Sequence, residues 1–226
     1  MTDPVVMELL EAQRKADALF GEVVNSGIIR PGILESELSA EIHDLAQRLF
    51  NVRRHWHKRV VRAGPNSVLT YHEDPPDRQV ADDDTVYLDL GPVFNSWEAD
   101  YGRTYVVGSD PDKHRLVRDI EDAFAAGKAH FEQTPGLTAG GLYDYVAGLA
   151  TAAGWEFGND SAGHLIGHFP HETSPQDAKR LSIRSGNSLD LREPDKSGAR
   201  RHWILEIHFV DRRRQFGGFF EQLLTA

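Results

Sequence analysis

Residues 84–108 read DTVYLDLGPVFNSWEADYGRTYVVG, and this stretch decides the fold. Two runs rich in Val, Tyr, Leu and Thr flank a turn near Asn95-Ser96, which predicts a hairpin of two strands. Each arm carries one acid: Asp89 inside Val-Tyr-Leu-Asp-Leu, and Asp100 ahead of the second run. Because strand side chains alternate between faces, the two arms can bring both carboxylates to one mouth. An acid in so apolar a strand is costly to bury unless something pairs with it.

The same device returns at the end of the chain. HWILEIHFVD (202–211) pairs with FGGFFEQLL (216–224) across the charged turn Arg212-Arg213-Arg214, and Glu206 and Glu221 stand in the relation of the first two acids. Two helices precede each hairpin. Asp3-Pro4 opens the first, with Leu9, Ala12, Ala16, Leu19, Phe20 and Val23 at helical spacing up to Gly27. Leu38, Ile42, Leu45 and Leu49 mark the second. Asp110-Pro111 opens the third, through Leu116, Ile120 and Phe124, and Thr138 opens the fourth, through Leu142, Val146 and Leu149 to Gly154. HKRVVRAGPNSVLTYH (57–72) reads as strands around a loop at Gly64-Pro65-Asn66. The expected fold is therefore α/β (α+β), with a loose internal repeat of two helices and an acid-bearing hairpin.

With 226 residues and 40% hydrophobic content the chain can build one sizeable core, so a single domain over 1–226 is expected. A formal net charge of −10 argues against a nucleic-acid partner. Without cysteine, neither a disulfide framework nor a thiolate metal site is available. The N-terminus lacks the pattern of a signal peptide and no apolar run reaches membrane-spanning length, so a cytoplasmic protein with no membrane partner is expected. Three other signals are set aside. His171-Glu172 starts like a zinc-protease HExxH helix, but position 175 is Pro. The run Arg53 to Lys58-Arg59, with Trp56 and His57, reads as a solvated strand edge, and Asp82-Asp83-Asp84 as a solvated turn.

Two facing hairpins would gather Asp89, Asp100, Glu206 and Glu221, and a glycine-rich segment offers His164. Unscreened, such a cluster repels itself; two divalent cations would cancel its charge and acidify a shared water. Oxygen-rich ligation with one imidazole suits Mn, Co, Fe or Zn. Taken singly, acids at strand ends are mostly caps or solvated residues, so residue types and spacing leave both readings open.

The motifs in series resemble those of the pita-bread metallopeptidases: methionine aminopeptidases, Xaa-Pro aminopeptidases, prolidases and the related creatinase. YLDLG carries Asp89, ADYGRTYVVG carries Asp100, Gly163-His164-Leu165-Ile166-Gly167 matches the family's histidine segment, and the closing strands carry Glu206 and Glu221. The resemblance implies a curved, mainly antiparallel sheet backed by helices with internal pseudo-symmetry. It implies that Asp89 chelates one metal, that Asp100 and Glu221 bridge both, and that His164 and Glu206 complete the other. It also implies substrate roles for His72, in PNSVLTYHEDPP, and for His171, in HFPHETSP, while His168 reads as a substrate contact, a residue behind the ligands or plain packing. The implied reaction is attack of a metal-bridging hydroxide on a peptide bond near the N-terminus of a short peptide, with Glu206 handling a proton.

Four differences from the family bear on this. Its Thr-Ile-Glu-Pro glutamate has its literal match at Glu193 in Leu191-Arg192-Glu193-Pro194, but Glu206 is preferred because its strand pairs with that of Glu221. Phe219 stands where Xaa-Pro enzymes carry Arg, and Asp160 where they carry His, which counts against Xaa-Pro specificity. The separate N-terminal domain of those enzymes is not expected here. Two alternatives share the scaffold: hydrolysis of a small amide or guanidine C–N bond, as in creatinase, and a catalytically silent binding protein. A homodimer is compatible with the sequence, which does not specify one.

Overall fold

The computed structural model describes residues 3–171 and 179–225. Glu172 and Pro175, which decide the HExxH question, lie outside the described residues. Two helices, α1 (Pro4–Asn25) and α2 (Glu35–Phe50), precede strand β1 (Val60–Ala63) and a 3-10 turn at Gly64–Val68. The first hairpin follows: β2 (Thr85–Leu90) and β5 (Tyr101–Val106), with a small ribbon of β3 (Val93–Phe94) and β4 (Trp97–Glu98) between them. Then come α3 (Pro111–Gln133), α4 (Ala139–Ala152), the short β6 (Glu156–Phe157), and the closing hairpin of β7 (Ile204–Asp211) and β8 (Phe216–Leu223).

The helix starts follow from their caps. Asp3 accepts from the Val5 amide at 2.9 Å, Asp110 from Asp112 at 2.8 Å and Thr138 from Gly141 at 3.1 Å. Asn95 and Ser96 both take positive φ, 49° and 70°, which reverses the chain between β3 and β4. One sequence expectation fails locally. The residues after Gly64 form no strand, because Ser67 turns inward: its hydroxyl donates to the Gly64 carbonyl and accepts from the Gly217 amide at 2.8 Å.

The main sheet is antiparallel throughout, in the order β1-β2-β5-β8-β7-β6. It is thus two three-stranded halves joined at β5 and β8, as the repeat in the sequence implies. Alternation decides what each face carries. Val86, Leu88 and Leu90 of β2 pack with Leu19, Phe20, Leu38 and Ile42 of α1 and α2. Leu205, Ile207 and Phe209 of β7 pack with Leu116, Ile120, Leu142 and Val146 of α3 and α4. The residues between them, Tyr87, Asp89, Glu206 and His208, therefore turn to the opposite face and line a cavity. No helix among the described residues is long and apolar enough to cross a membrane.

Candidate metal centre

Strand register puts the acids in a single lateral row. Asp89 pairs with Gly102, Gly102 with Glu221, and Glu221 with Glu206, across β2, β5, β8 and β7. The expected two facing hairpins are instead neighbours in one sheet, and their acids converge sideways. Gly102 is the bare position in the row. A Cβ there would lie 2.6 Å from the Phe219 ring and 3.0 Å from Glu221 Cβ, so only glycine admits both. Asp100 enters just ahead of β5, on the same face.

His164 reaches the row from a segment running beside β7. Ile204 donates to the His164 carbonyl at 2.9 Å and Ile166 to the His202 carbonyl at 3.0 Å. His164 Nε2 lies 3.1 Å from Asp100 Oδ2 and 3.4 Å from Glu206 Oε1. The five residues carried by the sequence motifs thus share one cavity of about 570 Å³. His72 and His171 also line it; His168 does not, being exposed and set edge-on to Trp97 at 5.2 Å. Glu193 is exposed and outside the cavity lining.

Sequence reasoning missed two partners of the site. His57, read as part of a solvated edge, has a side chain only 8% exposed, with Nε2 3.1 Å from Asp100 Oδ1 and 3.5 Å from Asp89 Oδ1. Trp56 beside it is half-buried and also lines the cavity. Glu98, 1% exposed, accepts from His171 Nδ1 and, at 3.3 Å, from the backbone amides of Gly167 and His171. No periodicity or motif marks either residue. The acidic turn at 82–84 also departs from expectation, since Asp84 is buried, paired with Arg78 at 2.9 Å and accepting from Ala81 at 2.8 Å.

The electrostatics are those of a site short of positive charge. Burial pushes Asp89 up to about 7 against the pull of His57, and Glu206 up to about 7 against that of His164. Glu221 is driven well above the usual carboxylate range by burial and then by the charges of Asp100, Asp89 and Glu206. Burial would raise Asp100 too, but the charge of His57 and hydrogen bonds from both histidines hold it below the usual range. Burial lowers His57 and His164, and their acidic neighbours more than reverse it, to about 9 and about 10. Protons therefore supply the balance that cations would supply. Glu221 Oε2 is buried with no hydrogen-bond partner, an unmet acceptor on a residue of this cluster. Two sets of donors each lie within 4.8 Å of one another, His57 with Asp89 and Asp100, and Asp100 with His164 and Glu221; with Glu206 beside His164 they fit divalent cations.

The family model of Metallopeptidase family M24 matches residues 8–197. The chain belongs to this family. It is 29% identical to an Xaa-Pro dipeptidase of Lactobacillus helveticus, over 79% of this chain and 46% of that protein. The chain spans about half the length of the curated Xaa-Pro dipeptidases it matches. Among solved structures, a prolidase from Thermococcus sibiricus superposes with a TM-score of 0.76 at 20% identity, covering 98% of this chain and 59% of that one. A methionine aminopeptidase from Rickettsia prowazekii gives 0.73 at 18% identity, over 100% of this chain and 98% of that one. The pita-bread fold expected from the motifs is thus the fold of this M24 chain.

Proposed function

We propose that this M24 chain is a hydrolase of short peptides, acting on the peptide bond near the N-terminus with the help of two divalent cations. The observation that carries the reading is the lateral row of Asp89, Glu221 and Glu206, closed by Asp100 and His164, around an unpartnered carboxylate oxygen. Asp89, Asp100, His164, Glu206 and Glu221 would hold the cations. Cations bound there supply Lewis acidity to a carbonyl and bring the pKa of water toward neutrality. The chain's own groups do the rest. Glu206, next to His164, receives the proton that the nucleophile gives up. Glu98 accepts from Nδ1–H of His171 and leaves Nε2 free for the scissile group, to which it would donate as the imidazolium. His72, at the exposed rim of the cavity, positions the peptide.

A cavity of about 570 Å³ accommodates a short peptide rather than a folded chain. Phe219 packs against Tyr87 at 5.4 Å, and Asp160 is exposed and pairs with Arg184 at 3.3 Å. Both positions where Xaa-Pro enzymes carry Arg or His are thus otherwise used, which supports a preference other than Xaa-Pro. The test is metal analysis of purified protein beside a panel of dipeptides, Xaa-Pro peptides and small amides. Expected are cation-dependent release of an N-terminal residue, its loss on chelation, and an Asp100→Asn variant that folds but cannot hold two cations. Full activity of chelated protein would overturn the reading, and turnover of small amides alone would transfer it to non-peptide C–N bonds.

A further inference from the structure

The centre has a second imidazole that the acid and histidine motifs do not include. His57 and His164 are arranged alike about Asp100. His57 Nε2 faces Asp100 Oδ1 and His164 Nε2 faces Asp100 Oδ2, each at 3.1 Å. Each also reaches a carboxylate of its own half of the sheet: Asp89 at 3.5 Å for His57, Glu206 at 3.4 Å for His164. The other ring nitrogens match as well. Nδ1 of His57 lies 2.6 Å from the Lys58 carbonyl, and Nδ1 of His164 lies 2.8 Å from the Leu165 carbonyl. A carbonyl only accepts, so Nδ1 carries the hydrogen in both rings and Nε2 is the nitrogen that can offer a lone pair.

The position of His57 is built rather than incidental. Trp56 donates from its backbone to the Gly91 carbonyl at 2.9 Å and from its indole to the Ala99 carbonyl at 3.0 Å. Its ring meets that of His57 edge-on at 4.5 Å. Gly91, two residues past Asp89, makes room for both: a Cβ there would lie 2.2 Å from His57 Cδ2 and 2.5 Å from Trp56 Nε1. Two donors bound to one cation at about 2.1 Å and at right angles stand about 3 Å apart. His57 Nε2 lies 3.1 Å and 3.5 Å from its two carboxylate oxygens, close to the spread from right-angle to tetrahedral donors.

We propose that His57 is a ligand of the cation held by Asp89 and Asp100, so that each of the two cations takes one imidazole. This rests on the two-cation reading above. The rival account makes His57 only the cationic partner of two buried acids, and the two accounts differ in sign. A ligand lost weakens cation binding, whereas a competing positive charge lost strengthens it.

The experiment uses the full chain, stripped with chelator and reloaded with Co²⁺ in the absence of substrate. Calorimetry gives the affinity of each equivalent, and X-ray absorption counts imidazoles per cobalt. Wild type is expected to bind two equivalents with an average of one imidazole per cobalt. His57→Ala is expected to weaken one equivalent by roughly 100-fold, leaving the other in place, and to halve the average imidazole count per cobalt when enough cobalt is present to load both. Two equivalents at wild-type or higher affinity in His57→Ala would overturn the assignment while sparing the two-cation centre. No cobalt bound by wild type would remove the centre itself. The imidazole count on wild type decides the matter even if the variant does not fold.

Discussion

A single added carbon at Gly102 tests the lateral row directly. In Gly102→Ala the new Cβ would sit 2.6 Å from Cδ1 and Cε1 of Phe219 and 3.0 Å from Glu221 Cβ. Ordinary carbon contacts lie at about 3.5–4.0 Å, so the Phe219 ring must move by about 1 Å. It has little freedom to do so. It is buried against Tyr87 and His208, and its amide donates to Thr104 Oγ1 at 2.6 Å. Overpacking of this kind costs about 1–3 kcal/mol, which in a domain of this size lowers the melting temperature by on the order of 5 °C. The site should suffer more than the fold, because ligand positions matter to about 0.2 Å and Glu221 lies under the same contact. Thermal melts of metal-free protein and calorimetric titration with Mn²⁺ read the two effects separately. Gly148→Ala is the control. Nothing lies within 4 Å of a Cβ there, and in the interior of α4 alanine gains about 0.5–1 kcal/mol over glycine. A G102A protein that melts with the wild type and binds Mn²⁺ equally well would show that the row is not packed as described.

Glu98→Gln keeps the shape of the group that orients His171 but removes its charge; turnover should fall by about 10–100-fold with cation stoichiometry unchanged, and wild-type turnover would refute the role. In metal-free protein Asp89 and Glu206 are pushed up to about 7, so the folded state holds their protons more tightly than the unfolded chain does. Stability is then lost as pH rises from about 4 through 7, by up to roughly 4 kcal/mol for Asp89. Bound cations cancel that loss, and the melting-temperature gap between Mn²⁺-loaded and chelated protein should widen from about pH 5 to pH 8; a narrowing gap would contradict the charge balance. His208 behaves oppositely. Burial pushes its ring down to about 4, although Nε2–H donates to the Ser67 carbonyl at 2.9 Å. Its contribution is complete above about pH 6.5 and is lost as pH falls toward 4. Urea midpoints of His208→Gln should therefore depend less on pH in that window than those of the wild type, and an unchanged dependence would assign the acid limb elsewhere.

The two hairpins were legible because alternation is local. In YLDLG and WILEI one acid interrupts a run of apolar residues, and the helices that bury Leu88 and Leu205 force Asp89 and Glu206 to the opposite face. The helix starts were legible for the same reason, since Asp3 and Asp110 cap within two residues of themselves. The row was not legible. It depends on the pairing of Gly102 with Glu221, which are far apart in sequence, and no local pattern sets that register. His57 was hidden by its neighbours: Arg53, Arg54 and Lys58 are exposed, and a basic run without periodicity reads as surface. The sequence left the place of His168 open beside His171, three residues on; only His171 lines the cavity, held by a glutamate from the β3–β4 ribbon.

The centre sits where the two halves of the sheet are joined least by backbone. β5 and β8 share the register pair Gly102–Glu221, and side chains supply much of the remaining stitching. Thr104 Oγ1 accepts from the Phe219 amide and donates to the Phe219 carbonyl at 2.8 Å, and Arg103 reaches the Glu221 carbonyl at 2.9 Å. Asp89 and Asp100 belong to one half, Glu206 and Glu221 to the other. Their mutual repulsion therefore acts across the join, whereas an imidazole from each half, His57 and His164, pulls on the one carboxylate of Asp100. Cations held by acids of both halves would turn that repulsion into a crosslink. On this account chelation should raise hydrogen exchange first at the β5–β8 amides, ahead of the β2 and β7 interiors that the helices cover. Exchange that rises equally over the whole sheet would mean that the centre supports the fold as a unit and not the join.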